Sequence, residues 1–173
     1  MKKQVKTTDN PCEIFDIVNQ KDQVIGRATR AECHNNSKLI HRSIHVLVFN
    51  SQRELFLQKR STSKDVCPGM WAASVSGHVD AGENYESAAE RETKEEIGTP
   101  LPLKYLDTCY LEFENETEFS AVYVSESEGP FQLNPKEIET GGFFSVDHIK
   151  NRMWNEIAPP SQTVLKYVME KHF

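Results

Sequence analysis

Glu92, Glu95 and Glu96 stand at i, i+3 and i+4 near the end of the segment from Gly77 to Thr99, GHVDAGENYESAAERETKEEIGT. On a helix this spacing puts three carboxylates on one face, about 5–6 Å apart at their Cβ atoms. Gly98 follows as a helix-stopping glycine, so the acidic face falls in the last turn, where the macrodipole is negative. Like-charge repulsion costs about 0.2–0.5 kcal/mol per pair, and the misplaced dipole adds a similar penalty. A hard divalent cation cancels both. With carboxylates and no thiolate, the set suits Mg2+ or Mn2+ rather than a structural zinc. Glu83, in the loop before the helix, either joins the cluster or pairs with Arg91. The competing reading is a solvated helix face that Arg91 and Lys94 partly neutralise.

Two further groups carry chemistry. In the loop Gln58 to Trp71, Arg60 and Lys64 are candidates to grip a diphosphate, Arg through its planar fork and Lys as a point charge; a solvated basic loop is the bland alternative. His34, His41, His78, Glu116 and Glu118 are ligand-type residues scattered along the chain. A lone histidine is more often an ordinary core or surface residue, although Glu116 and Glu118 alternate onto one strand face as two carboxylates aimed at one site must.

The elements that must position these residues are readable from pattern. A hairpin is predicted over Glu13 to Val18 and Gln23 to Ala28, then a short helix at Thr29 to His34. Strands follow at Ile44 to Phe49, Glu54 to Gln58 and Trp71 to Ser76. The carboxylate helix is predicted from Glu86 to Ile97, with Ala89, Thr93 and Ile97 turned to the sheet. Further strands are predicted at Leu103 to Phe113, Phe119 to Ser125 and Gly142 to Val146. Ser145 should cap a helix to Arg152, and Ser161 a final helix to Lys171 after the break at Pro159-Pro160. Strands in the middle and helices at the end suit an α+β fold, helices flanking a mixed sheet.

With 173 residues, the chain is expected to be one domain over residues 11–173 behind a flexible tail over 1–10. A formal charge of −6 gives no electrostatic footprint for long nucleic acid. No membrane span or signal-type stretch is legible, so a cytoplasmic enzyme is expected. Cys12, Cys33, Cys67 and Cys109 lack metal-type pairing and are expected to be reduced packing thiols. Oligomeric state is left open, a homodimer included.

The segment that opens this reading resembles the Nudix box of pyrophosphohydrolases, with Gly77, Glu83, Arg91, Glu92, Glu95, Glu96 and Gly98 in the charged and glycine positions. Both aliphatic positions, Thr93 and Thr99, hold threonine instead. The resemblance implies a Nudix-type α/β/α sandwich with a mixed central sheet. It also implies that Glu83, Glu92, Glu95, Glu96 and the Gly77 carbonyl hold one to three Mg2+ or Mn2+ ions, with Glu92, Glu95 and Glu96 catalytic.

A second resemblance, to the type I isopentenyl diphosphate isomerases of the same superfamily, runs from His34 to Glu118. There the positions of His34, His41, His78, Glu116 and Glu118 bind a metal, and those of Arg60 and Lys64 face the diphosphate. That family's essential cysteine just before Gly-His is Ser76 here, and a hydroxyl is a poor substitute for a thiol of pKa about 8.5 in moving protons to and from carbon. The isomerase box is also degenerate, whereas this one is complete. The chain also resembles a bacterial branch of Nudix hydrolases, through its Asp16-Ile17-Val18-Asn19 opening, its Arg60 to Gly69 loop and the pattern Gly141 to Ile149. The expectation is cleavage of a diphosphate in a small substrate, a nucleoside diphosphate linked to another moiety. An isomerase-like enzyme and a non-catalytic metal-nucleotide sensor are the alternatives.

Overall fold

The computed structural model describes residues 9–172. Most of the expected tail, residues 1–8, lies outside the described residues, but Asp9 is held firmly against the body of the protein, its side chain only 8% exposed. Strands β1 (Ile14–Val18) and β2 (Val24–Thr29) pair as a separate antiparallel ribbon. The Asn19 side chain orders its turn by accepting from the backbone of Lys21 and Gln23, 2.9 and 3.1 Å away. Helix α1 (Arg30–Cys33) starts on a capping box, in which Thr29 accepts from Glu32 N while the Glu32 carboxylate accepts from Thr29 N.

The main sheet contains β3 (Ile40–Phe49), β4 (Leu55–Arg60), β5 (Trp71–Ala72), β6 (Val75–His78), β7 (Lys104–Glu112), β8 (Thr117–Glu126) and β9 (Ile138–Phe144). Its order is β5-β4-β3-β8-β7, with β6 also on β3 and β9 on β4. It is mixed: β3 runs parallel to β8, the other pairs antiparallel. The single strand expected over Trp71 to Ser76 is in fact two. β3 and β4 pair only at Phe49 and Leu55 and then part, β5 staying with β4 and β6 with β3. At the fork the Ser74 hydroxyl accepts from Val48 N at 2.8 Å and donates to Phe56 O at 2.6 Å, satisfying backbone that the parted strands leave unpaired.

Helix α2 (Tyr85–Ile97) begins on an Asn84 capping box and ends on Gly98, whose φ of 71° is the left-handed conformation that a glycine cap supplies cheaply. Ala88, Ala89, Thr93 and Ile97 are buried against Ile44, Val46 and Val75. Threonine in the first aliphatic place is accommodated because its hydroxyl donates to Ala89 O at 2.6 Å within the helix. The opposite sheet face carries a second core, Leu47, Leu57, Leu111 and Val122, under α4 (Pro159–His172).

Two helical expectations change. After α3 (Val146–His148), capped by Ser145, the chain widens into a π turn over Ile149–Met153 and a 3-10 turn over Trp154–Glu156. In α4 both prolines sit in the first turn, where a missing N–H is harmless. Ser161 is therefore not its cap: it lies inside the helix, and its Oγ accepts from Ala73 N at 3.0 Å.

Candidate active site

The loop before α2 and the face of α2 meet the ends of β3, β4, β6 and β8 in one cleft of about 210 Å³. Glu83, Glu92, Glu95 and Glu96 are brought to its edge, but not as a bare carboxylate trio. Arg91 runs among them. It bonds Glu83 with two nitrogens at 3.0 and 2.8 Å, reaches Glu92 Oε1 at 2.7 Å and Glu95 at 3.5 Å, and donates to His78 O at 3.0 Å. These hydrogen bonds, the Glu83 pair foremost, raise the guanidinium pKa and outweigh its burial. Burial alone would raise Glu83, yet Arg91 holds that carboxyl below its ordinary value.

Glu92 and Glu96 are the strained pair. Burial and the charge of Glu96 push Glu92 up to about 8. Burial pushes Glu96 up to about 7, against bonds from Ser76 N at 3.1 Å and the Gln58 amide at 2.6 Å, both onto Oε2. The fold thus spends two good hydrogen bonds on orienting a carboxyl that burial keeps partly un-ionised, the condition a divalent cation relieves. Gly77 must be glycine for contact reasons: a Cβ there would run into the Glu92 carboxyl and lie 2.6 Å from its Cγ. Glu95 is 57% exposed at the cleft rim.

The five scattered ligand-type residues also converge. Register pairs His41 with Glu118 across β3 and β8, and Ser43 with His78 across β3 and β6. One ligand nitrogen each from His34, His41 and His78 falls within 4.8 Å of the others. Glu116 lies 3.3 Å from His34 Nε2 and Glu118 lies 3.6 Å from His41 Nε2. Phe15 of β1 roofs the cluster, stacking on His78 at 4.7 Å and on His41 at 5.4 Å. Burial lowers all three imidazoles, His34 and His41 to about 4, and raises Glu118 to about 8, so without a cation these four groups are neutral. His41 Nε2 is buried without a hydrogen-bond partner, an orphan of the kind a cation satisfies.

Arg30 complicates that centre. It is buried, bonds Asp65 through Nε and Nη2, and places Nη1 3.0 Å from His78 Nδ1. A guanidinium only donates, so Nδ1 accepts and the ring proton belongs on Nε2, the atom facing His34 at 3.1 Å. A cation on that nitrogen needs the proton to leave or the Arg30 contact to break.

The basic loop brings both of its candidates to the same cleft. Arg60 lines the cleft, its Nε donating to Val66 O at 3.0 Å. Lys64 lines the cleft too, with its Nζ held between Asp9 and Glu137 at 2.5 Å from each. Burial would lower this ammonium, yet the two carboxylates hold it above its ordinary value. Sequence reading missed Asp9, Arg30, Gln58 and Glu137. Only Gln58, polar within an apolar strand run, carried a signal. The aromatics near the sheet are taken up by packing: Trp71 and Phe144 pack edge to face at 5.3 Å and Phe143 packs on Phe56. Phe113 joins the same core as Trp71, and Tyr110 lies outside the cleft on β7.

A family model for the NUDIX domain matches residues 39–164. The chain is 32% identical over 160 residues to an uncharacterized Nudix hydrolase of Yersinia pestis, covering 90% of this chain and 87% of that protein. It is 30% identical over 161 residues to the uncharacterized Nudix hydrolase YfcD of Escherichia coli K12, covering 92% and 88%. The crystal structure of DR0079 from Deinococcus radiodurans superposes with a TM-score of 0.79 at 27% identity, covering 90% of this chain and 98% of that one. The NUDIX domain of NrtR from Shewanella oneidensis, complexed with ADP ribose, shares the fold at a TM-score of 0.61 and 15% identity, over 76% and 87% of the two chains. Among the described residues no helix is long and apolar enough to cross a membrane.

Proposed function

The chain belongs to the Nudix hydrolase family, a family of enzymes that cleave phosphate anhydrides, and from that premise we propose that it hydrolyses the diphosphate bond of a small substrate at the Glu92–Glu96 cleft, with Mg2+ or Mn2+. The observation that carries the reading is the buried, mutually repelling Glu92 and Glu96 pair, both raised above 4.5, in one cleft with Arg60. Glu83, Glu92, Glu95, Glu96 and the Gly77 carbonyl are the proposed metal ligands. The donor set fits a hard cation, being all oxygen. A divalent cation held there polarises the phosphoryl oxygens and makes water a competent nucleophile at neutral pH.

The protein's own part is positional. Gln58 and the Ser76 amide fix the Glu96 carboxyl, Arg91 fixes Glu83 and Glu92, and Gly77 leaves room for Glu92. Arg60 supplies positive charge beside the scissile group. Glu95, Glu96 and Glu118 remain the candidates for general base. We take the substrate to be a nucleoside diphosphate linked to another moiety, since a protein of the same fold binds ADP ribose. Among the described residues lining the cleft the ring side chains are histidines, so a base would rest outside it.

His34, His41, His78, Glu116 and Glu118 are the proposed second cation site. The orphaned His41 Nε2 favours it, and the His78 proton fixed by Arg30 is the barrier to it.

A screen of nucleotide sugars, dinucleotides, nucleoside di- and triphosphates and coenzyme A, with Mg2+ and with Mn2+, tests the activity through release of phosphate or nucleoside monophosphate. On the substrate so found, Glu96→Gln should lower kcat by at least about 10²–10³-fold, as loss of a preorganised electrostatic group does. Undiminished turnover in that variant would sink the assignment.

A further inference from the structure

Lys64 cannot greet a phosphate as it stands. Its ammonium already serves two carboxylates, Asp9 and Glu137, and a dianion added to that trio meets more negative charge than positive. One of the two must give way. Their surroundings differ. Glu137 is 30% exposed and approaches Lys64 from the β9 side. Asp9 is 8% exposed, and its carboxylate sits at the focus of three donors: Lys64 Nζ at 2.5 Å, Asp65 N at 2.8 Å and Arg30 Nη2 at 3.8 Å.

An ammonium, a guanidinium and a backbone N–H aimed at one point form the donor set that holds the oxygens of a phosphate. Asp9 lines the same cleft as Arg60, Glu92 and Glu96, so its carboxylate lies within the substrate's chamber rather than behind it. When Asp9 leaves, Lys64 keeps Glu137, and Arg30 keeps Asp65 and Glu13, so no buried cation is left unpaired. The departure of Asp9 thus frees a phosphate-shaped donor set, opens the Asp65 N–H to the incoming anion and leaves both cations paired.

We propose that Lys64 Nζ, Asp65 N and Arg30 Nη2 form a phosphate subsite, that Asp9 fills it as an internal stand-in for the ligand, and that a phosphoryl group binds by displacing Asp9. The identification of the displacing anion as the substrate's own phosphate rests on the hydrolase reading; the subsite itself does not. Binding energy spent on expelling Asp9 raises the apparent Kd by the fraction of molecules in which the subsite is open. Only an anion with enough other contacts in the cleft would then be retained.

The test is calorimetric titration of the full chain with methylenediphosphonate, which cannot be hydrolysed, and with inorganic phosphate, each with and without Mg2+. Asp9→Ala and Asp9→Asn should both tighten methylenediphosphonate by at least about tenfold, the gain expected when an occupied subsite is opened. Adding Lys64→Met to Asp9→Ala should cancel the gain. Unchanged or weaker binding in both Asp9 variants, with melting temperatures near that of the parent, would overturn the proposal and make Asp9 a strut for Lys64. Survival of the gain in the Lys64→Met double variant would overturn it equally. Since no turnover is needed, these results stand whether or not Glu96→Gln abolishes hydrolysis.

Discussion

Two centres share the cleft and solve the same problem in opposite ways. At the α2 centre acidic groups are crowded and an arginine is placed among them: Arg91 bonds Glu83, Glu92 and Glu95, and is itself the partial counter-charge. At the histidine centre the arginine stands aside. Arg30 is committed to Asp65, its guanidinium meets the cluster at His78 Nδ1, and it leaves neutral imidazoles beside a Glu118 carboxyl that burial keeps protonated. The first centre sets charged Arg91 and Glu83 beside its two raised carboxyls; the second sets neutral imidazoles beside a raised Glu118, with a proton fixed on the His78 nitrogen that a cation would need. Binding of a cation should therefore be sharply unequal between them, and so should the consequences of damaging them.

The largest expected difference is in turnover. Glu92→Gln should lower kcat by at least about 10²–10³-fold by removing a group that acts on the transition state. Glu118→Gln should cost no more than about 10–100-fold, through weaker metal retention. Both are read as kcat at saturating Mg2+. Equal losses would mean that the two centres work as one and that the contrast drawn between them is false.

Next in size is the support behind the carboxyls. Gln58→Leu keeps the volume of a buried side chain but removes the 2.6 Å bond that fixes Glu96. Mg2+ affinity should fall by about 10–100-fold, the usual consequence of losing a group that orients a ligand. A Mn2+ titration followed at low temperature by electron paramagnetic resonance would resolve the two centres. Loss confined to the more strongly bound ion supports the contrast, and loss from both merges them.

The two centres also differ in how far they could be read without a fold. Glu83, Arg91, Glu92, Glu95 and Glu96 lie in one loop and one helix, where helical spacing alone fixes who faces whom. Even so, spacing suggested three converging carboxylates, whereas Arg91 stands between them, because a side chain's choice of partner is decided by rotamer and burial. His34, His41, His78, Glu116 and Glu118 come from the end of α1, from β3, β6 and from the start of β8. Their meeting depends on register between strands far apart in sequence, so the residues alone supplied no more than a resemblance. Asp9 and Arg30 were illegible for a further reason. A single acidic residue in a polar leader and a single basic one in a short helix have no periodicity to betray them. The pairing of Lys64 was illegible because its two partners, Asp9 and Glu137, are 55 and 73 residues away.

The smallest expected effect separates the centres by proton linkage. Glu92 and Glu118 sit near 8 and Glu96 near 7, all above the ordinary 4.5 and all raised first by burial. Between those limits the native protein holds protons that the unfolded chain has released. Stability without metal is then fully present below 4.5 and is lost as pH rises toward 8. Two sets of groups contribute in the opposite sense: Glu83, held low by Arg91, on the acid side of 4.5, and the buried His34, His41 and His45, held near 4, up to the ordinary imidazole value of 6.5. Above the imidazole range the raised carboxyls act alone, so the melting temperature in chelator should fall from pH 7 to pH 8.5 by at least about 2–4 °C, the shift that ~1 kcal/mol gives a domain of this size. Mg2+ binds the ionised α2 carboxylates and should remove their share of that slope, stabilising more at each higher pH. The histidine centre's share should persist in Mg2+ and yield only to Glu118→Gln, which replaces a carboxyl that must ionise with an amide that cannot. If Mg2+ alone flattens the profile completely, the neutral centre is not the proton reservoir its burial implies, and the difference between the two regions reduces to one of geometry.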